Sequence, residues 1–107
     1  MTGPVTDTAD VIIIGTGVIG TATSFELAKQ GYKTVCVDRN SQIGHGSTAG
    51  SCAIIRMHYS TWDGTAFAFE GYHYWRDWAE YLGLSSDHAL ARFVECGCLV
   101  MKTEANG

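Results

Sequence analysis

A glycine-rich turn between an apolar run and a helical pattern constrains the fold of this chain more than any other feature. Residues 10–20 are Asp-Val-Ile-Ile-Ile-Gly-Thr-Gly-Val-Ile-Gly and contain the pattern Gly-x-Gly-x-x-Gly. In such a turn Gly15 permits a tight bend, Gly17 lets a phosphate approach the backbone, and Gly20 lets the helix pack closely on the strand. The helix that follows would direct its N-terminus toward a pyrophosphate. The motif therefore predicts a dinucleotide-binding turn.

The residues around the turn complete a β-α-β pattern. Val11–Ile14 is an uninterrupted β-branched run, as expected of a parallel strand buried on both faces. Small and apolar residues then recur over a helix of about three turns, and Gly31 is placed to end it. Thr34–Val37 predicts a second strand that delivers Asp38, 18 residues after Gly20. An acid at about this distance accepts hydrogen bonds from an adenosine ribose. The prediction is an α/β fold with a Rossmann-like β-α-β start; the alternative is a β-α-β unit whose glycines only shape the turn.

Composition excludes several classes of protein. The 107 residues include 46% hydrophobic residues, enough for a core, but are few for an enzyme that holds both a dinucleotide and a substrate. A net charge of −4 without a basic cluster argues against a nucleic-acid partner. No run of about 18 apolar residues predicts a membrane span. Lys29 is the first basic residue, which argues against a secretory signal and favours a cytoplasmic location.

The four cysteines are expected to be reduced structural thiols. Cys36 lies within the second strand pattern, where a small buried hydrophobe is expected. Cys96 and Cys98 are separated by one glycine, which is not the spacing of a zinc site, and no metal site is predicted.

A segment of glycines and small polar residues follows the expected ribose acid. Residues 41–51 are Ser-Gln-Ile-Gly-His-Gly-Ser-Thr-Ala-Gly-Ser, and Cys-Ala-Ile-Ile-Arg follows at 52–56. Most such stretches are solvated loops. This one could instead bring N–H groups and hydroxyls to a cofactor, with a short helix beginning near Ser47.

These motifs together resemble a known family. The glycine turn, the Val-Cys-Val-Asp-Arg of residues 35–39 and the segment from Gly44 to Arg56 are similar to the N-terminal part of FAD-dependent amine and amino-acid oxidoreductases. These form the D-amino-acid oxidase superfamily, with the sarcosine, dimethylglycine and glycine oxidase branch the nearest. The resemblance covers most of this chain but only the first portion of such an enzyme, so a C-terminal portion or a companion subunit is expected.

The resemblance implies FAD as cofactor and a role for each matching residue. The glycine loop and its helix would bind the pyrophosphate, Asp38 the adenosine ribose, and Arg39 would lie beside the adenine. The small-residue segment would pass near the pyrophosphate and the flavin ring. The implied cofactor-binding residues are Gly15, Gly17, Val18, Ile19, Gly20, Asp38, Arg39, Ser47, Thr48, Ser51, Cys52 and Ala53. The chain departs from the family at Ala53, where other members often carry a basic residue that contacts the flavin.

Arg56 is the candidate substrate-binding residue. In sarcosine-oxidase-like members an arginine at this position pairs with the substrate carboxylate, and a planar guanidinium suits a bidentate contact. A surface residue or a structural ion pair explains Arg56 equally well. His45 and His58 flank the segment without a partner that would make either an acid or a base. No catalytic residue and no general base is assigned.

The second half of the chain predicts one long helix and a strand. Asp63 is expected to cap a helix that runs to Leu82 and ends at Gly83. Its aromatic stripe from Phe67 to Trp78 is expected to pack in a core rather than against a cofactor. Residues 85–87 are expected to form a loop. Phe93–Met101 is predicted to be a strand with a bulge at Gly97, and Asn106-Gly107 is a hairpin signal.

The expected organisation is therefore a flexible leader over residues 1–9, an FAD-binding segment over 10–60, and a helix and strand over 61–107 that lead into an incomplete substrate domain. The function implied is hydride transfer from an amine, or from an amino acid such as an N-methylated one, to the flavin. The 107 residues alone are expected to be inactive. Two alternatives stay open: a fragment of an NAD(P)-dependent dehydrogenase, since Asp38 suits an NAD ribose equally well, and a non-catalytic nucleotide-binding subunit of a larger complex.

Overall fold

The computed structural model describes residues 8–85 and 89–105, which form two compact units divided between Ala53 and Ile54. Most of the expected leader, residues 86–87 of the expected loop and the hairpin signal at residues 106–107 lie outside the described residues. Each unit is described by itself.

The first unit is a β-α-β unit. Strand β1 spans Val11–Ile14, helix α1 spans Val18–Lys29, and strand β2 spans Thr34–Val37. The two strands are parallel, with Val11 opposite Thr34 and each following residue opposite the next. One further hydrogen bond, from the N–H of Gly15 to the carbonyl of Val37 (2.7 Å), continues the pairing into the glycine turn. The predicted α/β start with a parallel sheet is confirmed.

Helix α1 packs against both strands and ends as the sequence predicts. Gly31 has φ of +90°, the left-handed conformation that glycine adopts without a steric penalty. The N–H of Gly31 donates to the carbonyl of Ala28 (3.0 Å), and that of Tyr32 donates to Leu27 (3.1 Å). These two bonds form a Schellman motif, which satisfies carbonyls at the end of the helix. The reversal at Gly31 brings the chain back beside β1 as β2.

The sheet is covered on one side only, contrary to the expectation of a strand buried on both faces. The side chains of Ile12 and Ile14 are 66% and 88% exposed, and Val35 and Val37 beside them are exposed as well. Cys36 is also exposed, so its expected burial is wrong. Among the described residues of the first unit, no segment covers the face of the sheet opposite α1, and these β-branched side chains are exposed.

The second unit contains two helices where the sequence predicts one. Helix α2 spans Trp62–Arg76 and helix α3 spans Trp78–Leu82, with Asp77 between them outside helical geometry (φ −105°, ψ 41°). The carboxylate of Asp77 pairs with the guanidinium of Arg76 at 2.7 Å. Aspartate is a poor residue for a helix interior because it favours helix boundaries. The predicted end at Gly83 is confirmed, with φ of +68° there.

Two further expectations for the second unit are wrong. The cap of α2 is Thr61, whose hydroxyl oxygen accepts from the N–H of Gly64 at 3.2 Å, and not Asp63. Phe93–Met101 is not a strand, because none of the described residues pairs with its backbone as a sheet would. Gly97, the expected bulge, has φ of +74° within this irregular segment.

The aromatic stripe of α2 does not form a buried core within the described residues. Phe67 is 86% exposed, and no apolar side chain in the described part of the chain is buried. The rings contact near neighbours instead: Trp75 stacks on Trp78 at 4.7 Å between centroids, and Trp78 stacks on Tyr81 at 5.4 Å. The spacing in the sequence predicted that these rings lie on one side of the helix. Their burial would also require a second apolar surface packed against them.

Candidate cofactor site

A cleft of about 790 Å³ opens at the carboxyl ends of β1 and β2. Its volume lies within the range of about 300–1,000 Å³ that is usual for ligand pockets. In open α/β sheets ligands bind outside the carboxyl ends of the strands. The cleft is lined by three segments of the first unit: the glycine turn with the start of α1, residues 38–40 after β2, and the small-residue segment around Ser47.

The glycine turn holds α1 close to β1. Gly15 has φ of +107°, a conformation that side chains rarely adopt. A Cβ atom at Gly20 would overlap the carbonyl oxygen of Gly15, so only glycine permits this approach of helix to turn. The N-terminus of α1 consequently faces the cleft.

Asp38 is held at the end of β2 by three hydrogen bonds. The backbone N–H and the hydroxyl of Thr16 donate to its Oδ2 at 2.7 and 2.9 Å, and the N–H of Asn40 donates to its Oδ1 at 2.8 Å. The N–H groups of Asn40 and Thr16, together with the Thr16 hydroxyl, lower the pKa of Asp38 to about 2. Hydrogen bonds to the ionised form favour it, so the carboxylate is an acceptor at neutral pH.

The small-residue segment is joined to the glycine turn by two hydrogen bonds. The N–H of Gly44 donates to the carbonyl of Thr16 at 2.9 Å, and the N–H of Val18 donates to the Oγ1 of Thr48 at 2.9 Å. Ser47–Gly50 forms one turn of 3₁₀ helix, which confirms the short helix predicted to begin near Ser47. The Thr48 hydroxyl thereby lies beside the first turn of α1, and a Cβ at Gly17 would lie 3.0 Å from its oxygen.

Most of the residues singled out in the sequence meet at this cleft. Those that line it are Gly15, Gly17, Val18, Ile19, Gly20, Asp38, Arg39, Ser47, Thr48 and Ser51. Cys52 and Ala53 follow the lining segment without being part of it, and Ala53 has φ of +53°, which is uncommon for a residue with a side chain. Arg56 belongs to the second unit, where its guanidinium lies 4.8 Å from the centroid of the Tyr59 ring. No group of three or more metal-ligating side chains occurs in the described part of the chain.

Sequence reasoning missed three polar residues: Thr23 and Asn40, which line the cleft, and Thr16, which donates to Asp38. Thr16 occupies a variable position of the glycine motif, where the pattern assigns a backbone role only. The signal for Asn40 was its spacing, since an N–H two residues after an aspartate commonly bonds that carboxylate.

The residues of the cleft fit the adenosine and pyrophosphate of a dinucleotide. An ionised carboxylate can accept from ribose hydroxyls, and helix N–H groups and the hydroxyls of Ser47 and Ser51 are of the donor type that phosphate oxygens require. Within the described residues, Asp38 and Arg39 are the charged side chains that line the cleft. No helix among the described residues is long and apolar enough to cross a membrane.

Comparisons with known proteins point in the same direction. A family model described as FAD dependent oxidoreductase matches residues 10–106. A probable sarcosine oxidase from Arabidopsis thaliana is 39% identical over 51 residues, which cover 47% of this chain and 12% of that protein. Monomeric sarcosine oxidase from Bacillus sp. (strain B-0618) is 45% identical over 51 residues, which cover 47% of this chain and 13% of that protein. The aligned segment thus spans a small part of either relative, and no solved structure matches the chain.

Proposed function

The chain belongs to the family of FAD dependent oxidoreductases, and from that premise we propose that its first unit binds the ADP portion of FAD within an enzyme that oxidises amines or N-methylated amino acids. FAD is the cofactor of this family, which sets aside the NAD(P) alternative. The observation that supports the proposal best is the convergence of the α1 N-terminus, Asp38 and the small-residue segment on one cleft.

Each part of the cleft has a role in this proposal. The N–H groups of Ile19 and Gly20, in the first turn of α1, donate to the pyrophosphate, which gains from the positive end of the helix dipole. Asp38 accepts from the adenosine ribose, and Arg39 lies beside the adenine. Ser47, Thr48 and Ser51, followed by Cys52 and Ala53, extend the site toward the flavin ring. When bound, FAD supplies the oxidising chemistry, and the protein supplies orientation and electrostatics.

The substrate class is proposed from the relatives and from Arg56. Both relatives named above are sarcosine oxidases by name, and sarcosine is an N-methylated amino acid with a carboxylate. Arg56 would bind that carboxylate through two parallel N–H···O bonds. The guanidinium of Arg56 lies 4.8 Å from the centroid of the Tyr59 ring, a cation–π contact that does not use its N–H donors for a hydrogen bond to the ring.

The cofactor assignment is tested by titrating the protein with FAD and with ADP and following binding by calorimetry. Gly17→Val should abolish binding of both, because the new side chain enters the pyrophosphate path and displaces Thr48. Gly71→Val in α2 is the matched control, since a Cβ there meets no atom within 4 Å. Stoichiometric FAD in the Gly17→Val variant would contradict the assignment of the glycine turn.

The substrate assignment needs a separate experiment on the enzyme that contains this chain. Arg56→Lys keeps the charge but loses the bidentate fork, so the KM for carboxylate-bearing amines should rise while bound FAD is unchanged. Loss of flavin without a change in KM would remove Arg56 from the substrate site. Purification of the chain as a flavin-containing complex with other subunits and no amine turnover would favour a non-catalytic subunit instead.

A further inference from the structure

Cys96 and Cys98 line one cavity of the second unit, and the proposed function gives them no role. The cavity has a volume of about 340 Å³, and its walls include Ile55 and Met57 as well as residues 93–98. The sequence predicts structural thiols, but both cysteines are free and exposed. Exposed thiols contribute little to packing, so their reactivity decides what they do.

The segment that carries the two cysteines is anchored to α2 at one end. The hydroxyl of Tyr72 donates to the Oε1 of Glu95 at 2.8 Å, and the Tyr72 ring meets the ring of Phe93 edge-on, with 6.0 Å between centroids. The N–H of Cys96 then donates to the carbonyl of Val94 at 3.0 Å. These contacts hold the chain as far as Cys96 and place this residue at the cavity wall.

Chain geometry keeps Cys98 within reach of Cys96. Cα atoms two residues apart are separated by at most about 7 Å. A disulfide joins residues whose Cα atoms are about 4.4–6.8 Å apart. The thiol of Cys96 also donates to the carbonyl of Gly97 at 3.6 Å, which turns its sulfur toward the residue between the two cysteines. A bond between the two sulfur atoms therefore requires only a local adjustment.

Gly97 provides the backbone freedom that such a small ring needs. It has φ of +74°, and a Cβ built there meets no atom within 4 Å. Among the described residues none pairs with this segment as a sheet would, so movement of Gly97 breaks no ladder hydrogen bond. A disulfide across one residue is strained, and strained disulfides are readily reduced. Oxidation of this pair is consequently reversible.

We infer that Cys96 and Cys98 form a reversible oxidation site, which closes an intramolecular disulfide by exchange with a small-molecule disulfide such as oxidised glutathione. One protein thiolate attacks the small disulfide, forms a mixed disulfide and releases one small thiol. The second protein thiolate then displaces the other small thiol. Two protein thiols and one small disulfide thus give one protein disulfide and two small thiols. The site uses residues of the second unit only and does not depend on FAD.

The experiment incubates the full chain in glutathione buffers of increasing oxidised fraction at about pH 8, where thiols are partly ionised. Alkylation and trypsin digestion follow. Trypsin places both cysteines in the peptide of residues 93–102 and the other two cysteines in separate peptides, 34–39 and 40–56. Peptide 93–102 should lose two hydrogen atoms in at least about half of the molecules before the other peptides carry glutathione, because its second thiol displaces the mixed disulfide. Dithiothreitol should restore two thiols that can be alkylated.

Single variants separate the pair from the other cysteines. Cys96→Ser and Cys98→Ser each leave one thiol, which should form only a mixed disulfide with glutathione, and at a higher oxidised fraction. Cys36→Ser and Cys52→Ser are the matched controls, because they remove exposed thiols of the first unit. Both controls should leave the disulfide in peptide 93–102 unchanged. Circular dichroism of the same samples shows that each variant is folded.

Three results would overturn the inference. The first is a peptide 93–102 with two alkylated cysteines at every glutathione ratio. The second is a disulfide that forms only in about 6 M urea, since the folded chain would then hold the two thiols apart. The third is a bond from Cys96 or Cys98 to Cys36, to Cys52 or to a second chain in place of the bond within the pair.

Discussion

Hydroxyl groups, more than charges, organise the residues around the cleft. The Thr48 oxygen accepts from Val18, and the Thr16 hydroxyl donates to Asp38. Threonine can do both because its hydroxyl is one donor and two acceptor positions at once. After accepting from Val18, Thr48 retains its own proton to donate. These two contacts hold the N-terminus of α1 and the carboxylate of Asp38 at the same cleft. They do so without adding a further charged side chain to the cleft.

The carboxylate of Asp38 should stabilise the folded first unit in a defined pH range. Its pKa is about 2 in the folded chain, below the ordinary value of 3.8, because N–H and hydroxyl donors favour the ionised form. Folding therefore favours loss of the proton. The stabilisation is complete above about pH 4 and is lost as the pH falls through about 2.

Acid unfolding of the unaltered protein and of Asp38→Asn, followed by circular dichroism, checks this range. The difference in stability between the two proteins should shrink as the pH is lowered from about 4 to about 2. A difference that stays constant across that interval would mean that these three hydrogen bonds do not hold the carboxylate in solution.

The contact of Gly20 with Gly15 predicts a large effect of one methyl group. Gly20→Ala should destabilise the first unit by about 2 kcal/mol, because α1 must move away from the turn to accommodate the Cβ. Gly71→Ala is the control: it lies within α2 with open space around it and should stabilise by about 0.5–1 kcal/mol. Thermal unfolding gives the change in stability of each variant. Equal changes in the two variants would refute the close approach at Gly20.

At the scale of elements, the boundaries follow local chemistry where a local group is available. Helix α1 ends in the Schellman motif at Gly31, and α3 ends at Gly83 in the left-handed conformation. The division between α2 and α3 shows the limit of periodicity, since the apolar pattern continues through Asp77 while the backbone does not. The periodicity of apolar residues predicts which side of a helix is apolar. It does not predict where the helix ends, which here is at Asp77, a residue type that is unfavourable in a helix interior.

The cap of α2 provides a prediction at this scale. Thr61→Ala removes the oxygen that accepts from Gly64 and should cost about 1 kcal/mol of helix stability. Asp63→Ala should cost only a few tenths of a kcal/mol, because Asp63 lies in the first turn and acts only through the helix dipole. Amide exchange over residues 62–66 distinguishes the two. A larger effect at Asp63 than at Thr61 would mean that the helix begins later.

At the scale of the whole molecule, apolar surface dominates the properties of the chain. In the described residues every apolar side chain keeps at least part of its surface exposed, including the sheet face made by Ile12, Ile14, Val35 and Val37. Exposed apolar patches of this kind favour association. The parallel pair also has two edges, and a two-stranded sheet is marginal without further strands or layers.

We therefore expect the 107 residues alone to bind a hydrophobic dye such as ANS, to associate, and to oxidise no amine even with added FAD. Ile12→Thr combined with Val35→Thr keeps β-branched residues in the strands but makes the open sheet face polar, and should reduce dye binding. A monodisperse monomer with a cooperative thermal transition and measurable amine oxidation would contradict the expectation.

The first unit was predictable because its information is local. Gly15 and Gly31 adopt conformations that favour glycine, the Val11–Ile14 and Thr34–Val37 runs favour strands, and the spacing to Asp38 follows from the length of one helix. The cofactor class could be inferred from the same residues, and the family match confirms it. The second unit was less predictable, because Phe93–Met101 has the composition of a strand but a strand exists only when another pairs with it.

The sequence by itself determined the β-α-β start, the C-terminal ends of α1 and α3, the place of Asp38 and the family to which the chain belongs. The tertiary structure alone decided that Thr16 and Asn40 share the carboxylate of Asp38, and that the hydroxyl of Thr48 caps the first turn of α1. It also decided which apolar residues are covered: Cys36 and Phe67 suit a core but are exposed. Turns and helix ends depend on a few neighbouring residues, whereas burial and hydrogen bonds between distant segments depend on where the chain brings its other parts.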